Sequence, residues 1–429
     1  MSKITVVGAG YVGLTTAMCL AHLEHEVCCV DINEERIAGL RGGVVPIRED
    51  GMQELLREGL DAGRLTFSTS AADAVRDAEF VFLCVGTPSD ENGEADLSAV
   101  DAVARTIAPH LMSGVVIVNK STMPVGSTRR VHRVLSEADA AHEEFGVASN
   151  PEFLREGAAI RDFLHPSRVV VGAEDTATAQ RVADLYRPLG APVVITSPAS
   201  AELIKYAANA FLATKISYAN AIAAVSEAVG ADVSDVMLGM GYDPRIGPEF
   251  LKPGPGYGGS CFPKDISALL HTARQAGYHF DLLDGVVAVN QEQRERVVTK
   301  IRNAAGGSVQ GIRIGIWGLT FKANTDDVRD SPAIAIVNDL LAEGAEIVAH
   351  DPALGHAPLE GITLAATPVE AATGATVVAL LTEWDEYRWI APEMLADVLK
   401  ARRVVDARNL LDAAVWRRAG FIIDGIGRL

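Results

Sequence analysis

Short apolar runs rich in β-branched residues alternate with amphipathic segments along most of the chain. The first run, Ile4–Val7, precedes an amphipathic segment, Leu14–Leu23, and a second run, Glu26–Val30. Continuous apolar runs are typical of strands that are buried on both faces, whereas a period near 3.6 predicts a helix. The alternation therefore predicts an α/β protein built on parallel sheets.

The same pattern continues and then restarts in the second half of the chain. Further strands are predicted at Glu79–Val85, Val115–Asn119 and Phe145–Ala148. The stretch Gly306–Gly311 carries three glycines and breaks the pattern. After it we predict a helix at Ser331–Glu343. Four strands are predicted at Ile312–Trp317, Ile347–Asp351, Ala375–Leu381 and Arg403–Asp406. These elements form a second α/β unit, and its first loop lacks the glycine pattern of the first unit.

One predicted helix, Ser200–Val229, is much longer than the others. It is rich in alanine, contains no glycine or proline, and ends at Gly230. At 1.5 Å per residue it spans roughly 45 Å, a length that usually joins domains or forms a subunit interface. We expect its apolar residues to be buried, among them Phe211, Ile216, Tyr218, Ile222 and Val225.

Composition and charge narrow the class of protein. A chain of 429 residues is too long for one core, and 48% apolar with 22% charged residues is ordinary for a soluble globular protein. The formal charge of −18 argues against a general nucleic-acid or anionic-membrane surface. No signal peptide or membrane span is predicted. Five cysteines without regular spacing form neither a disulfide framework nor a zinc pattern, so we expect a reduced, cytoplasmic protein without a metal.

The first strand enters a glycine motif, Gly8-Ala-Gly10-Tyr-Val-Gly13. Gly8 permits the tight turn, Gly10 allows a pyrophosphate to approach, and Gly13 packs the helix against the strand. The helix N-terminus supplies N–H groups for the phosphates. The motif and its flanking strands therefore predict a dinucleotide-binding domain.

Asp31 at the end of the second strand indicates which dinucleotide is bound. Its carboxylate can accept hydrogen bonds from both hydroxyls of the adenosine ribose, which favours NAD over NADP. Arg36 lies five residues further on and could instead meet a 2′-phosphate. Stacking on the adenine or simple solvation are its other roles, and we favour these because Asp31 would repel a phosphate.

Polar loops follow the later strands of the first domain, where ligands of doubly wound sheets bind. Thr87 and Thr122 are candidate site residues there, and ordinary turn hydroxyls are the alternative. The loop Asn150–Gly157 carries two acids, Glu152 and Glu156, with Arg155 between them. Acid/base or ligand-binding roles compete with the capping of a helix N-terminus for these acids.

The stretch Gly254–Asp265, GPGYGGSCFPKD, contains a cysteine among glycines that would let the backbone approach a ligand closely. A cation or backbone N–H groups beside a thiol favour the nucleophilic thiolate. A glycine- and proline-rich surface loop with an incidental Cys261 is the alternative. Lys205 and Asn209 share one face of the long helix, where solvent exposure is the ordinary expectation.

Seven ordered blocks carry a resemblance that covers the chain nearly end to end. They read GAGYVG with Asp31, CVGTP, KSTMPVGS, NPEFLREG, ELIKYAANAFLATKISYAN, GYGGSCFPKD and FKANTDDVRDSP. With these blocks in this order, the chain resembles the UDP-glucose/GDP-mannose dehydrogenase family, and it looks closer to the UDP-glucose branch. The resemblance implies oxidation of UDP-glucose to UDP-glucuronate with two NAD⁺ per substrate.

The resemblance also implies an architecture. An N-terminal Rossmann domain for NAD, residues 1–197, is followed by a central helical dimerisation domain with the cysteine loop, residues 198–305. A C-terminal Rossmann-like domain for the nucleotide sugar, residues 306–429, completes the chain. The family likeness and the long helix imply a homodimer or a higher homo-oligomer.

The resemblance implies catalytic roles for six residues. Cys261 is the nucleophile that holds the aldehyde as a thiohemiacetal and then as a thioester. Lys205 and Asn209 stabilise the oxyanion, as preorganised donors do in acyl transfer. Glu152 is the general base, and Asp265 and Thr122 position the hydrolytic water.

Ligand contacts are implied at further positions. The cofactor positions are Gly8, Gly10, Tyr11, Val12, Gly13, Asp31, Arg36, Gly86, Thr87, Thr122, Glu156, Lys264 and Arg329. The substrate positions are Glu152, Phe153, Leu154, Arg155, Lys205, Asn209, Arg245, Phe250, Leu251, Lys252, Gly258, Cys261, Phe321, Lys322 and Arg408. Among these, Arg245 corresponds to an arginine that reaches into the partner subunit's site.

Three other interpretations compete with this one. A relative could act on another nucleotide sugar, such as a UDP-N-acetylhexosamine, dTDP-glucose or GDP-mannose. A two-electron dehydrogenase of the hydroxyacid type would share the NAD domain and the long helix but would not need Cys261. A non-catalytic nucleotide-sugar sensor would bind its ligand without turnover.

Overall fold

The protein is described by a computed structural model that covers residues 1–90, 93–138 and 144–428. The chain forms two compact units. The first contains Met1–Ala208 and Ser267–Tyr278, and the second contains Asn209–Ile266 and His279–Leu429. Among the described residues, no helix has the length and apolar character needed to cross a membrane.

The first unit is built on a sheet of eight strands in the order β3-β2-β1-β4-β5-β6-β7-β8. Neighbouring strands run parallel except β6 and β7. The strands are β1 (Lys3–Val7), β2 (Glu26–Val30), β3 (Leu65–Ser68), β4 (Phe80–Leu83), β5 (Val115–Asn119), β6 (Phe145–Ser149), β7 (Val169–Ala173) and β8 (Val193–Thr196). The order 3-2-1-4-5 is that of a doubly wound dinucleotide-binding sheet.

Helices cover both faces of this sheet, because its central strands are apolar on both sides. They are α1 (Tyr11–His22), α2 (Glu34–Arg41), α3 (Met52–Asp61), α4 (Ala71–Ala74), α5 (Ser98–Ile107), α6 (Ser127–Ala138), α7 (Ala159–Leu164) and α8 (Thr176–Leu185). One apolar cluster contains Leu14, Met18 and Leu56, and a second contains Val81 and Ile117. The five strands that the sequence predicts here are confirmed, with ends that differ by one or two residues.

The second unit is built on a six-stranded parallel sheet in the order β11-β10-β9-β12-β13-β14. The strands are β9 (Arg313–Trp317), β10 (Glu346–His350), β11 (Ile362–Leu364), β12 (Val377–Leu380), β13 (Arg403–Asp406) and β14 (Ile422–Gly425). The remaining helices are α9 (Pro198–Val229), α10 (Val233–Gly241), α11 (Phe262–Gln275), α12 (Asp281–Ala304), α13 (Pro332–Ala342), α14 (Pro368–Ala372), α15 (Asp385–Arg388), α16 (Glu393–Ala396) and α17 (Ala413–Arg418). Helices α9 and α11 contribute residues to both units. The prediction of two Rossmann-like sheets and a long central helix is confirmed.

The long helix α9 is continuous over 32 residues and ends where Gly230 adopts a positive φ of 78°. The burial expected for its apolar residues is wrong for three of them. Phe211, Tyr218 and Val225 are 65%, 49% and 55% exposed, whereas Ile216 and Ile222 are partly buried. The helix carries apolar residues on all sides of its own surface. Packing within one chain covers only part of that surface.

Candidate active site

The glycine motif forms an open turn at the carboxyl end of β1. Gly8 has a φ of +106°, and a Cβ there would lie 2.6 Å from the carbonyl oxygen of Cys84. A Cβ on Gly13 would lie 1.8 Å from the carbonyl oxygen of Gly8. A Cβ on Gly10 would meet nothing within 4 Å, and no described side chain caps α1. This turn therefore has the open space and the N–H groups that a pyrophosphate needs.

Asp31 follows β2 and is held by the turn itself. Its Oδ2 accepts from the Ala9 N–H at 2.8 Å, and its Oδ1 accepts from the Asn33 N–H at 2.9 Å. The Arg36 guanidinium lies 3.4 Å from Oδ2. Because Arg36 faces the carboxylate of Asp31, the arrangement suits a ribose diol better than a 2′-phosphate. These residues fit NAD.

Glu152 and Lys205 form a buried ion pair within the first unit. The Lys205 Nζ donates to the Glu152 Oε1 at 2.8 Å, and the Leu154 N–H donates to Oε2 at 2.5 Å. The two residues are 5% and 3% exposed, so solvent exposure of Lys205 is excluded. Burial opposes ionisation of Glu152, but the Lys205 charge and hydrogen bond hold its pKa below the usual value. Glu152 is therefore an ionised carboxylate, as a general base must be.

Glu152 does not cap helix α7. That position belongs to Glu49, which accepts hydrogen bonds from the backbone N–H groups of Gly157 and Ala159 at 2.7 Å each. The same carboxylate accepts from the hydroxyl of Tyr11. Sequence reasoning missed Glu49, because it lies in a polar loop more than 100 residues from Gly157 along the chain.

Lys120 is a second buried cation that sequence reasoning missed. Its Nζ donates to the Asn150 Oδ1 at 3.0 Å and lies 5.4 Å from the centroid of the Tyr186 ring. Burial lowers the pKa of Lys120 to about 8. Its position directly before Ser121 and Thr122, at the end of an apolar strand, is the signal that could have identified it.

Other residues expected in the first unit have more ordinary surroundings. Thr87 donates from its hydroxyl to the Thr122 carbonyl at 2.8 Å, so it links two loops. Arg155 is exposed and pairs with Asp162, and the Arg168 guanidinium lies 3.5 Å from the centroid of the Phe153 ring. Val12, Leu154 and Glu156 are partly buried, and a Cβ on Gly86 would meet nothing within 4 Å.

Cys261 lies immediately before helix α11 in the second unit. Its carbonyl accepts the first intrahelical bond, from the Asp265 N–H at 2.9 Å, and its half-buried Sγ lies 3.6 Å from the Ser260 Oγ. The N–H groups at a helix N-terminus favour a thiolate. Residues 253–257 of the preceding loop are buried, so the surface-loop interpretation is wrong.

Asp265 and Asn209 meet inside the second unit. The Asn209 amide donates to the Asp265 Oδ2 at 2.6 Å, and the Lys264 Nζ donates to Oδ1 at 2.7 Å. Asn209 and Asp265 are both buried, which excludes the solvated role for Asn209. The buried carboxylate is thus compensated by one cation and one amide.

Two glycines of the cysteine loop lie in close contact with the protein itself. A Cβ on Gly258 would lie 2.1 Å from the Asp330 carbonyl oxygen. A Cβ on Gly259 would lie 2.7 Å from the Phe321 ring, and its φ is +82°. These glycines are needed for packing of the loop against the protein itself.

Arg408 extends from the end of β13 beside this loop. Its Nε donates to the Leu381 carbonyl at 2.8 Å, its Nη2 donates to the Phe321 carbonyl at 3.1 Å, and Glu383 pairs with it at 3.0 Å. A Cβ on Gly254 would lie 3.2 Å from its Nη1. The Lys322 Nζ lies 5.3 Å from the centroid of the Phe321 ring. The second unit therefore places Arg408 and Phe321 beside the cysteine loop, with Lys322 next to Phe321. Arg408 and Lys322 are cations, and cations suit the binding of phosphates.

The remaining expected substrate and cofactor residues of the second unit have varied surroundings. Arg245 and Arg329 are exposed and pair with Asp243 and Asp327. Lys252 is exposed, whereas Leu251 is buried. Phe250 has a positive φ of 63°, which is unusual for a large residue and often marks a functional loop.

Comparison with protein families places three matches along the chain. The NAD binding domain of the UDP-glucose/GDP-mannose dehydrogenase family matches residues 2–190, its central domain matches residues 199–292, and its UDP binding domain matches residues 315–413.

Individual proteins are similar over nearly the whole chain. A UDP-glucose 6-dehydrogenase of Rhizobium meliloti is 45% identical over 99% of both chains. A solved UDP-glucose dehydrogenase from Pyrobaculum islandicum is 36% identical, with a TM-score of 0.91 over 100% of this chain and 98% of that one. A solved UDP-D-ManNAc dehydrogenase from Pyrococcus horikoshii is 26% identical, with a TM-score of 0.89 over 99% of both chains.

Proposed function

The chain belongs to the UDP-glucose/GDP-mannose dehydrogenase family, and from this premise we propose how it works as an NAD-dependent UDP-glucose 6-dehydrogenase. It oxidises C6 of UDP-glucose from a primary alcohol to the carboxylate of UDP-glucuronate. Full-length identity of 45% to a UDP-glucose 6-dehydrogenase supports this activity. NAD⁺ held by the glycine motif and Asp31 would supply the hydride acceptor for each of the two oxidations, so two cofactors would be used per substrate.

Glu152 removes the proton of the C6 hydroxyl in the first oxidation. Its carboxylate is buried, ionised and oriented by Lys205 and by the Leu154 N–H, so it can accept a proton in a fixed direction. The product of this step is the C6 aldehyde.

The Cys261 thiolate then adds to the aldehyde carbon, which forms a C–S bond and moves one carbonyl electron pair onto oxygen. Proton uptake by this oxygen gives a thiohemiacetal. The second oxidation removes a hydride from C6 and the hydroxyl proton, and it leaves a thioester. Water adds to the thioester, the C–S bond breaks, and the carboxylic acid and the thiol are released. The position of Cys261 at the N-terminus of α11 is the observation that carries this proposal.

Lys205 and Asn209 donate to the oxygen that carries negative charge in the addition and hydrolysis steps. They are one turn apart on α9, and both are buried polar side chains. Removal of one such donor typically lowers the rate about 10²–10³-fold. Asp265 and Thr122 orient the hydrolytic water, and the compensated carboxylate of Asp265 suits an acceptor role.

Replacement of the thiol tests the covalent route. Cys261→Ala should bind NAD⁺ like the parent but produce no UDP-glucuronate, as measured by product chromatography and by NADH absorbance. The parent should release two NADH per UDP-glucose. Equal acid production by Cys261→Ala would show that no thioester forms, whereas one NADH per substrate in the parent would indicate a two-electron dehydrogenase.

The remaining ligand positions follow the family roles. We assign the cofactor to the glycine motif with Tyr11, Asp31, Lys264 and Arg329. We assign the diphosphate and the base of the nucleotide sugar to Lys322, Arg408 and the Phe250–Lys252 segment. The packing of Arg408 beside Gly254 and Phe321 supports the second assignment.

A different nucleotide sugar is the second candidate substrate. The similarity to a UDP-D-ManNAc dehydrogenase, at a TM-score of 0.89, favours its inclusion in the test. NADH release from a panel of UDP-glucose, UDP-N-acetylhexosamines, dTDP-glucose and GDP-mannose should give the highest kcat/KM for UDP-glucose. A higher value for another sugar would replace the substrate but not the chemistry.

We also propose a homodimer that is formed through α9. Phe211, Tyr218 and Val225 are exposed and seven residues apart, so they form one apolar stripe on the helix. The parent should sediment as a dimer or larger, and Phe211→Glu with Tyr218→Glu should lower its mass to that of one chain. A monomeric parent would contradict this assignment. Because the reaction needs a reduced Cys261, we place the enzyme in the cytoplasm.

A further inference from the structure

Glu49 is a buried carboxylate in the loop between α2 and α3 of the first unit. Its oxygens accept from the Tyr11 hydroxyl, from the Gly157 N–H at 2.7 Å and from the Ala159 N–H at 2.7 Å. None of the proposed catalytic roles belongs to Glu49. The buried carboxylate is thus satisfied by three protein donors, as a buried polar group must be.

The three donors belong to two segments that serve different ligands. Tyr11 is the first residue of α1 and directly follows Gly10, where the pyrophosphate approaches. Gly157 and Ala159 end the loop that carries Glu152 and begin α7. The carboxylate of Glu49 is therefore the common acceptor of the dinucleotide turn and of the loop that presents the general base.

The Tyr11 hydroxyl remains a donor throughout the physiological pH range. Burial raises its pKa, and the hydrogen bond to Glu49 and the charge of Glu49 raise it further. Gly157 has a φ of +78°, a backbone conformation that larger residues rarely adopt. The loop after Glu152 thus ends in a turn that only glycine adopts readily, and the N–H groups of Gly157 and Ala159 are held by Glu49.

We propose that Glu49 is a positioning residue that fixes the geometry of the cofactor turn relative to the Glu152 loop. The proposal rests on the proposed function, because it assigns the base to Glu152 and the cofactor to the glycine motif. Its consequence is that one carboxylate controls both the affinity for NAD⁺ and the rate of proton removal. Glu49 acts through Tyr11, Gly157 and Ala159, and it contacts neither ligand in this assignment.

Glu49→Gln tests the proposal, with Asp50→Asn as the matched control on the exposed neighbouring acid. Glutamine keeps the size but presents an NH₂ group to a set of donors, so at least one of the three bonds is lost. We expect NAD⁺ affinity, measured by calorimetry on the protein without substrate, to fall about tenfold or more. The kcat with saturating ligands should fall by a similar factor, while Asp50→Asn stays within twofold of the parent for both.

Tyr11→Phe provides a second variant that keeps the carboxylate but removes the hydroxyl, which donates to Glu49 and accepts from the Gly157 N–H at 2.8 Å. If Glu49 acts through Tyr11, the loss of NAD⁺ affinity in the double variant should be smaller than the product of the two single losses. A Glu49→Gln protein with a lower melting temperature but with parental NAD⁺ affinity and kcat at 25 °C would overturn the proposal. A loss of NAD⁺ affinity in the double variant that equals the product of the two single losses would also overturn the proposal.

The two hypotheses fail in different ways. A parent that makes no UDP-glucuronate would refute the proposed function, and NAD⁺ affinity would still report on the Glu49 contacts. An active parent with an unaffected Glu49→Gln variant would refute only the positioning role.

Discussion

The first loops of the two sheets have similar backbone geometry, but the aspartates beside them have different hydrogen-bond partners. Gly8 follows β1 and Gly318 follows β9, with φ values of +106° and +90°. The Gly8 N–H donates to the Val30 carbonyl at 2.7 Å, and the Gly318 N–H donates to the His350 carbonyl at 2.8 Å. Both turns thus solve the same problem, the sharp exit of the chain from the first strand of a doubly wound sheet.

The acids that follow Val30 and His350 also begin alike. The Ala9 N–H donates to Asp31 at 2.8 Å, and the Leu319 N–H donates to Asp351 at 2.8 Å. Asp351, however, is buried and also accepts from the N–H and hydroxyl of Thr320 and from the Trp384 indole.

The side chain of Asp31 is 13% exposed, and its carboxylate can accept further hydrogen bonds. The Oδ2 of Asp351, in contrast, is already saturated by protein donors. Of these two loops, only the one after β1 carries the motif GxGxxG. The lesson is that one fold provides the position of an acid, and the neighbouring side chains decide whether a ribose can use it.

The residue that directly follows the fifth strand of each unit also differs, Lys120 after β5 and Ala407 after β13. The Lys120 N–H donates to the Leu83 carbonyl at 3.1 Å, and the Ala407 N–H donates to the Leu380 carbonyl at 3.0 Å, so the two residues are equivalent. The first unit therefore buries a cation where the second places a methyl group.

Substitution of the motif glycines should have the largest effect. Gly13→Ala places a Cβ 1.8 Å from the Gly8 carbonyl oxygen, so the helix must move from the strand. We expect the free energy of unfolding to fall by at least about 3 kcal/mol, or the first unit not to fold. Urea denaturation measures this change.

Gly10→Ala is the matched control, because its Cβ meets nothing within 4 Å. It should retain parental stability within about 1 kcal/mol. Its NAD⁺ affinity should fall, since the methyl group enters the space we assign to the pyrophosphate. A stable Gly10→Ala protein with unchanged NAD⁺ affinity would contradict the open turn.

The two acids should respond differently to removal of charge, Asp351 in stability and Asp31 in NAD⁺ affinity. Asp351→Asn leaves a buried donor among several donors, and we expect a loss of about 2–3 kcal/mol in the free energy of unfolding. Asp31→Asn should cost less than about 1 kcal/mol in stability, but it should lower NAD⁺ affinity about tenfold. Denaturation and calorimetry on both variants make the comparison, and equal stability losses would remove the distinction between the two loops.

The smallest expected effect is a pH dependence that comes from Lys120. Burial lowers its pKa to about 8 in the folded state, compared with about 10.4 in the unfolded chain. Between these values the unfolded state binds the proton and the folded state does not, so stability rises with pH. From pH 8 to pH 9 the parent should gain about 1 kcal/mol relative to Lys120→Met.

Urea denaturation at each pH measures the Lys120 contribution. Lys3→Met, at an exposed lysine of the same unit, is the control and should show no such difference. An equal change in Lys120→Met would mean that the buried ammonium does not titrate in this range.

The amino-acid sequence by itself determined those features that depend on local spacing. The strand–turn–helix around the glycine motif, the long helix and the two α/β units were predicted correctly, because their signals lie within one strand–turn–helix unit or one helical period. The helix that begins at Phe262 was not predicted, and it is the element that gives Cys261 its helix N-terminus.

Only the tertiary structure decided which polar groups face each other. Lys205 lies 53 residues from Glu152, and Glu49 lies 108 residues from Gly157. The burial of such pairs depends on how strands and helices pack, and a local pattern carries no information about it. The same holds for the exposed face of α9 and for the saturated Asp351, whose surroundings come from Trp384 across the sheet. Sequence periodicity reports which side of an element is apolar, whereas desolvation and hydrogen-bond partners are properties of the packed chain.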